Sequence, residues 1–342
     1  MKKTLVALAA LAATGAFAQV TITGEFVTGY SSYTKGGATT VDNSGFGVDT
    51  SRVYFNTSED LGGGMKIDAL MTIGGLDRSG ESGDGTAGGK NAFLKLTTGM
   101  GVLTLASTKP GDFSSGIAAV GASFYAFDKL DIIPNNDGLF YKRPNRDLVS
   151  FEVPVGPLKL SITHLEAAAA GLGIGAAGSS TQRTNAYAAA YKAGALAANV
   201  YYGSFDNRNN TDATVKDQTR LEGAYDFGMV KLGLGIQVTN SDGTKGAKDT
   251  QTLLGLSAPL GALKVGINLG NRKTDDYTTV ANNGTRNGYI LGADYALSKR
   301  TSIIGNFARW DAASQGQTIG KTSAVNPANA SSSFALLLSH KF

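Results

Sequence analysis

The sequence predicts an all-β fold, a transmembrane antiparallel β-barrel of about 16 strands. Three observations carry that expectation. Apolar and polar residues alternate with period 2 through one segment after another, the mark of a strand with one face wet and one face dry. Short turns, most of them bearing Gly, alternate with long polar connections along the chain. After the first residues there is no apolar run of the roughly 18 residues that a spanning helix needs, whereas a strand crosses in about 9 to 11 residues with only every second one apolar.

The elements follow in order. From Val20 to Tyr30, Val20, Ile22 and Phe26 share one face and Thr21, Thr23 and Glu25 the other. Arg52 to Thr57 sets Val53 and Phe55 against Arg52, Tyr54 and Asn56. It is joined through Ser58-Glu59-Asp60-Leu61-Gly62-Gly63-Gly64 to a partner strand with Met65, Ile67, Ala69 and Met71 opposite Lys66, Asp68 and Thr72. The same unit recurs near 90–98, 101–108, 138–153, 157–168, 183–192, 195–205, 217–226, 229–239, 249–258, 261–271, 286–296, 300–310 and 332–342. The connections 206–216, 241–248, 271–285 and 311–330 are long and polar, and the turns between them are short. Alternation is cleanest where Val230, Leu232, Leu234, Ile236 and Val238 oppose Lys231, Gly233, Gly235 and Gln237. With no helical segment to cover either face, lipid is the partner of the apolar side, and closure removes the sheet edges that hydrocarbon forbids. Tyr187, Tyr191, Tyr202, Tyr225, Tyr289 and Tyr295 fall on the apolar parity, as aromatic girdles would.

Ahead of this pattern, Lys2 and Lys3, the apolar Leu5 to Ala13 and the small-residue site Ala16-Phe17-Ala18 lay out a secretory signal peptide over residues 1–18, leaving one domain over 19–342. Removal of Lys2 and Lys3 lowers the formal net charge from +4 to +2, near balance, so no nucleic-acid partner is expected. The absence of cysteine excludes disulfides and thiolate metal sites, and with only two histidines no cofactor or metal is expected. His164 shares the apolar parity with Leu158, Leu160 and Ile162, which places it at headgroup level and not in a catalytic site. The run Gln315 to Thr322 has the wrong spacing and context for a phosphate loop. No enzymatic activity is expected.

One stretch breaks the pattern. Lys109 to Asp137 (KPGDFSSGIAAVGASFYAFDKLDIIPNND) runs without strand alternation, and a loop of that length inside a compact domain is usually functional.

The segments VTITGEF, SRVYFNTSEDLGGGMKI, AFLKLTTGMGVLTLAS, AAYKAGALAANVYY, LSKRTSIIGNFAR and the ending SHKF resemble the general porins of Gram-negative outer membranes, most closely those of β-proteobacteria. The resemblance covers nearly the whole chain, and its specific carriers are the SR…SEDLGGG hairpin and Phe342. It implies a water-filled channel for passive diffusion of small hydrophilic solutes and ions in the outer membrane, a homotrimer, short periplasmic turns, long extracellular loops, and a third loop, the stretch 109–137, folded into the lumen. Leu338, His340 and Phe342, with Leu336, would form the signal read by the barrel-assembly machinery. The expected constriction sets basic wall residues Arg52, Lys66 and Arg146 against loop residues Asp112, Asp128 and Asp131, with Ile117 to Phe127 as a short helix on the wall. Arg52 matches the family's basic cluster directly, Arg143 competes with Arg146, and Ala106-Ser107-Thr108 replaces a further family arginine. Charges at a narrow point set ion preference because an ion loses hydration there. Two alternatives are a substrate-specific channel, with Phe124, Tyr125 and Phe127 as a sliding surface, and a barrel that only anchors an adhesin or enzyme.

Overall fold

The computed structural model describes residues 19–35, 41–75, 88–109, 111, 113–125, 146–166, 183–206, 214–242, 248–275, 283–311 and 331–342. Among them sixteen strands form one closed antiparallel barrel in sequence order, β16 returning to pair with β1. They are β1 (Gln19–Lys35), β2 (Val41–Gly62), β3 (Met65–Gly74), β4 (Gly88–Thr98), β5 (Gly101–Thr108), β6 (Arg146–Val155), β7 (Leu158–Glu166) and β8 (Arg183–Ala193). The second half comprises β9 (Leu196–Asp206), β10 (Thr214–Asp226), β11 (Lys231–Asp242), β12 (Lys248–Leu260), β13 (Leu263–Asp275), β14 (Gly284–Ala296), β15 (Thr301–Trp310) and β16 (Ser331–Lys341).

Local chemistry explains the tight turns. Gly156-Pro157 joins β6 to β7 with Gly156 at φ 59°, a conformation that costs glycine nothing. Pro157 fixes the second turn residue near φ −65°, so the turn is of the II′ kind, whose twist suits a hairpin. Gly194 (φ 54°) opens the β8–β9 turn in the same way.

The pleat sorts the side chains as the alternation predicts. Leu221, Leu234, Ile236, Leu254, Leu269, Leu291, Phe334, Leu336 and Leu338 are exposed on the outer surface, where hydrocarbon covers them. The aromatic residues divide into two belts. Tyr191, Tyr225, Phe227 and Tyr295 lie next to the short turns. Tyr187, Tyr202, Tyr289 and Phe307 lie further up, and the next outward residues beyond them, Asn185, Ser204, Asn287 and Arg309, are polar. On β14 the belts are six residues apart, about 20 Å along the strand at roughly 3.3 Å per residue. Above the upper belt His164 bonds through Nδ1 to Asn185 Oδ1 (2.7 Å) and approaches Glu166 (3.3 Å), which Arg183 also meets (3.0 Å). This polar patch lies at the level where headgroups begin, as expected for His164.

Closure is made at Gly24 and Phe342. Gly24 N–H donates to the Phe342 carbonyl (2.9 Å) and Phe342 N–H donates back to Gly24 (3.1 Å). The Phe342 ring lies over Gly24 so closely that any Cβ there would collide with it. Beside it Thr301 Oγ1 meets His340 Nδ1 (2.9 Å) across β15 and β16. Replacing Phe342 by Ala removes a half-buried ring from this seam, and we expect a loss of about 2 kcal/mol, roughly half the cost of deleting a fully buried Phe. Denaturant titration of the refolded barrel, followed by heat-modifiable electrophoretic mobility, measures it.

Candidate functional site: a wall-docked segment across the lumen

After β5 the chain turns into the barrel. Phe113–Ser115 form one 3-10 turn, and the chain then continues to Tyr125 in irregular conformation along the inner wall. The expected helix from Ile117 is absent over its described part, 117–125; residues 126–127 lie outside the described residues. The reason is local: the backbone donors that a helix would use are taken by wall side chains. Gly121 N–H donates to Asn268 Oδ1 on β13 (2.9 Å), and Phe124 N–H and Ser123 Oγ both donate to Asn306 Oδ1 on β15 (2.9 and 2.8 Å). Tyr125 N–H donates to Ser123 Oγ (3.1 Å), and the Tyr125 hydroxyl reaches Asp49 Oδ2 on β2 (3.2 Å).

The wall makes room for this segment with glycine. Inward-facing Gly233 (β11), Gly255 (β12), Gly266 (β13) and Gly292 (β14) form a track on four successive strands, linked by the pairings Gly233↔Gly255, Gly255↔Asn268, Ser257↔Gly266 and Gly266↔Gly292. A Cβ at Gly233 or Gly255 would strike the Ala118 carbonyl, and one at Gly266 or Gly292 would strike the Ala122 backbone. Apolar contacts close both ends. Phe113 and Ala118 pack with Leu253, Ile290, Ala308 and Trp310, and Tyr125 packs with Val27, Ile304, Ala335 and Leu337. Inward apolar residues therefore occur where the segment lies on them.

The expected wall residues are distributed unevenly. Arg52 is inward on β2, paired with Glu25 and Gly74, and lies three residues along the strand from Asp49, which anchors Tyr125. Arg146 is half-buried and inward at the start of β6, opposite Thr108, where the chain leaves β5 for the lumen. Lys66 does not belong to the constriction. It stands one residue into β3 from the Gly62–Gly64 turn, ion-paired with Asp68 (2.8 Å) and opposite Asp60, so it lines the short-turn mouth of the barrel. Its parity was legible but its depth was not, because alternation fixes which face a residue occupies and says little about its height. Ser107 shares the outward parity of Leu105, so Ala106 and Thr108 are the inward residues there. Asp112, Asp128, Asp131, Asp137 and Arg143 lie outside the described residues.

Residues that the sequence reading passed over lie higher on the wall. The sequence reading puts Arg272 in the long connection from 271 to 285 and Arg286 at the first position of the strand 286–296, but β13 runs on to Asp275 and β14 begins at Gly284, which turns both arginines inward. The alternation of Arg272 and Thr274 with Asn271 and Lys273 was the available signal, and it is polar on both faces.

Comparison with known proteins fits this geometry. The profile of the Gram-negative porin family matches residues 4–313. The chain belongs to that family. This porin is 28% identical over 335 residues to outer membrane porin protein 32 of Delftia acidovorans, covering 90% of this chain and 89% of that protein. Among solved structures it resembles the anion-selective porin from Comamonas acidovorans (TM-score 0.66, 21% identity, 95% of this chain and 100% of that one). It also resembles OmpT of Vibrio cholerae in its trimer form (TM-score 0.67, 12% identity, 95% and 99% covered). It is an outer-membrane porin, and its barrel is the channel.

The glycine track makes a direct prediction. Gly266→Val should push the segment off the wall into the lumen and lower single-channel conductance in a planar bilayer. Gly305→Val, where a Cβ meets nothing within 4 Å, should leave conductance unchanged.

Proposed function

We propose that this porin is a general diffusion pore for small hydrophilic solutes and ions, narrowed by the stretch 109–137, with Arg52 and Arg146 as basic residues on the wall it leaves open. The observation that carries the reading is the docking of 113–125 across strands β11 to β15 and β2 by hydrogen bonds and a glycine track. A segment held this firmly narrows the lumen permanently, which suits passive sieving. Passive diffusion requires no catalytic group. The reading includes removal of residues 1–18, a homotrimer, and recognition of Leu338, His340 and Phe342 by the assembly machinery.

The substrate-specific alternative loses its main support. A sliding surface has to present its aromatic faces to the solute, yet Tyr125 is 4% exposed and Phe124 packs edge-on against it at 5.5 Å. These rings anchor the segment to the wall. Phe127 lies outside the described residues.

Planar-bilayer recording of the refolded protein tests the proposal: ohmic conductance in steps of three is the expected result, and a silent membrane would contradict it. Replacing Arg52 by Ala should move the reversal potential in a salt gradient toward cation preference, because it removes a fixed positive charge beside the narrowest point. An unchanged reversal potential would remove Arg52 from the constriction.

A further inference from the structure

The lipid-facing wall of β10 to β15 is not smooth. A groove of about 710 Å³ runs across it, within the roughly 300–1,000 Å³ usual for small-ligand sites. Two outward rows of directly paired residues line it. The first is Leu234 (β11), Leu254 (β12), Leu269 (β13), Tyr289 (β14) and Arg309 (β15). The second, one step further from the short turns, is Leu221 (β10), Ile236 (β11), Thr252 (β12), Asn271 (β13) and Asn287 (β14).

Each row begins aliphatic and ends polar. Strands in such a barrel tilt by about 35–45°, so a row at right angles to them climbs across the membrane. The outward residues show which end is higher. On β11 they stay apolar as far as Val238, whereas β14 turns polar at Asn287 and β15 at Arg309. The rows therefore lie in hydrocarbon at β10 and β11 and reach headgroup level at β14 and β15, just beyond the paired rings of Tyr289 and Phe307 (6.0 Å between centroids).

The higher end carries an unmatched charge. Asn271 Nδ2 donates to Asn287 Oδ1 (2.7 Å), and Asn287 gives its backbone N–H and its Nδ2 to Asp311 Oδ2 (3.1 and 3.2 Å). This chain of bonds ties the Asp311 carboxylate to β14. Lys273, the next outward residue beyond Asn271, is ion-paired with Asp275 (3.1 Å). Arg309 is exposed, and among the described residues it has neither a carboxylate nor another acceptor bonded to it. A guanidinium presents its donors in a planar fork that suits phosphate oxygens.

We infer that this groove seats one membrane lipid with an exposed phosphate, its acyl chain along Leu254, Leu234 and Leu221 and its phosphate on Arg309. The order of residues is that of an amphiphile, aliphatic at depth and cationic at headgroup level. The lipid is a fixed neighbour of the wall, distinct from the bulk hydrocarbon that covers the other outward leucines.

Trp310, the one tryptophan of the chain, lies at the floor of the groove and reports on what fills it. The refolded porin is placed in phosphatidylcholine vesicles, and its fluorescence is followed as either phosphatidic acid or phosphatidylcholine with brominated acyl chains, which quench at short range, is added. Brominated phosphatidic acid should quench at about one-fifth of the mole fraction that brominated phosphatidylcholine needs, the factor that one basic residue supplies toward an anionic lipid. Arg309→Gln should bring the two curves together, and Lys273→Gln should leave them apart. Equal quenching by the two lipids in the unaltered protein would overturn the assignment. So would an equal loss of preference in Lys273→Gln, which would make the attraction a property of the surface at large. Absence of quenching by either lipid would mean that a second copy covers this face, and would also overturn it. Should Arg309→Gln fail to fold, as judged by heat-modifiable mobility, the curves of the unaltered protein and of Lys273→Gln decide.

Discussion

Everything in this molecule depends on one requirement: within hydrocarbon, no backbone N–H or C=O can be left without a partner. A helix meets that requirement by itself, but this chain has no apolar run long enough to make one, and strands meet it only by closing. The pairing of β1 with β16 is therefore the contact on which the others rest. Closure also decides what each side chain does, since one face of every strand must suit lipid and the other water. The outward leucines, the two aromatic belts and the polar wall are three results of the same pleat.

Closure creates a second problem, which the glycine track resolves. Sixteen strands enclose more space than their side chains fill, so a barrel of this size holds a wide aqueous lumen. A loop that narrows it must lie against the wall, and its backbone polar groups need partners there. Small inward residues let the chain approach, and Asn268, Asn306 and Asp49 supply the acceptors. The high glycine content thus serves the lumen as well as the turns.

Much of this was legible in the sequence, and the limits of legibility have a physical cause. Where a strand crosses hydrocarbon, one face is apolar and the other is not, and period 2 appears plainly, as in Leu232, Leu234 and Ile236 on β11. Above the upper aromatic belt both faces are wet, so the alternation vanishes although the strand continues. That is why β2 begins at Val41 while only Arg52 to Thr57 could be read, and why Arg272 was taken for a loop residue. Arg52 was found because it sits in a recognisable motif within the readable band. The course of 113–125 was not readable, because it is set by side chains more than a hundred residues away in sequence, such as Asn268 and Asn306.

The glycine track has a further consequence for how such a channel changes over generations. A wall of glycines contributes no charge, so the track itself has no influence on the sign of what passes. Arg52 stands on β2, away from the track, on the strand whose Asp49 accepts from Tyr125 near the far end of the segment. With Arg52 in its proposed role, bore width and charge preference are governed by different residues, and a population can alter one by substitution while the other is inherited intact.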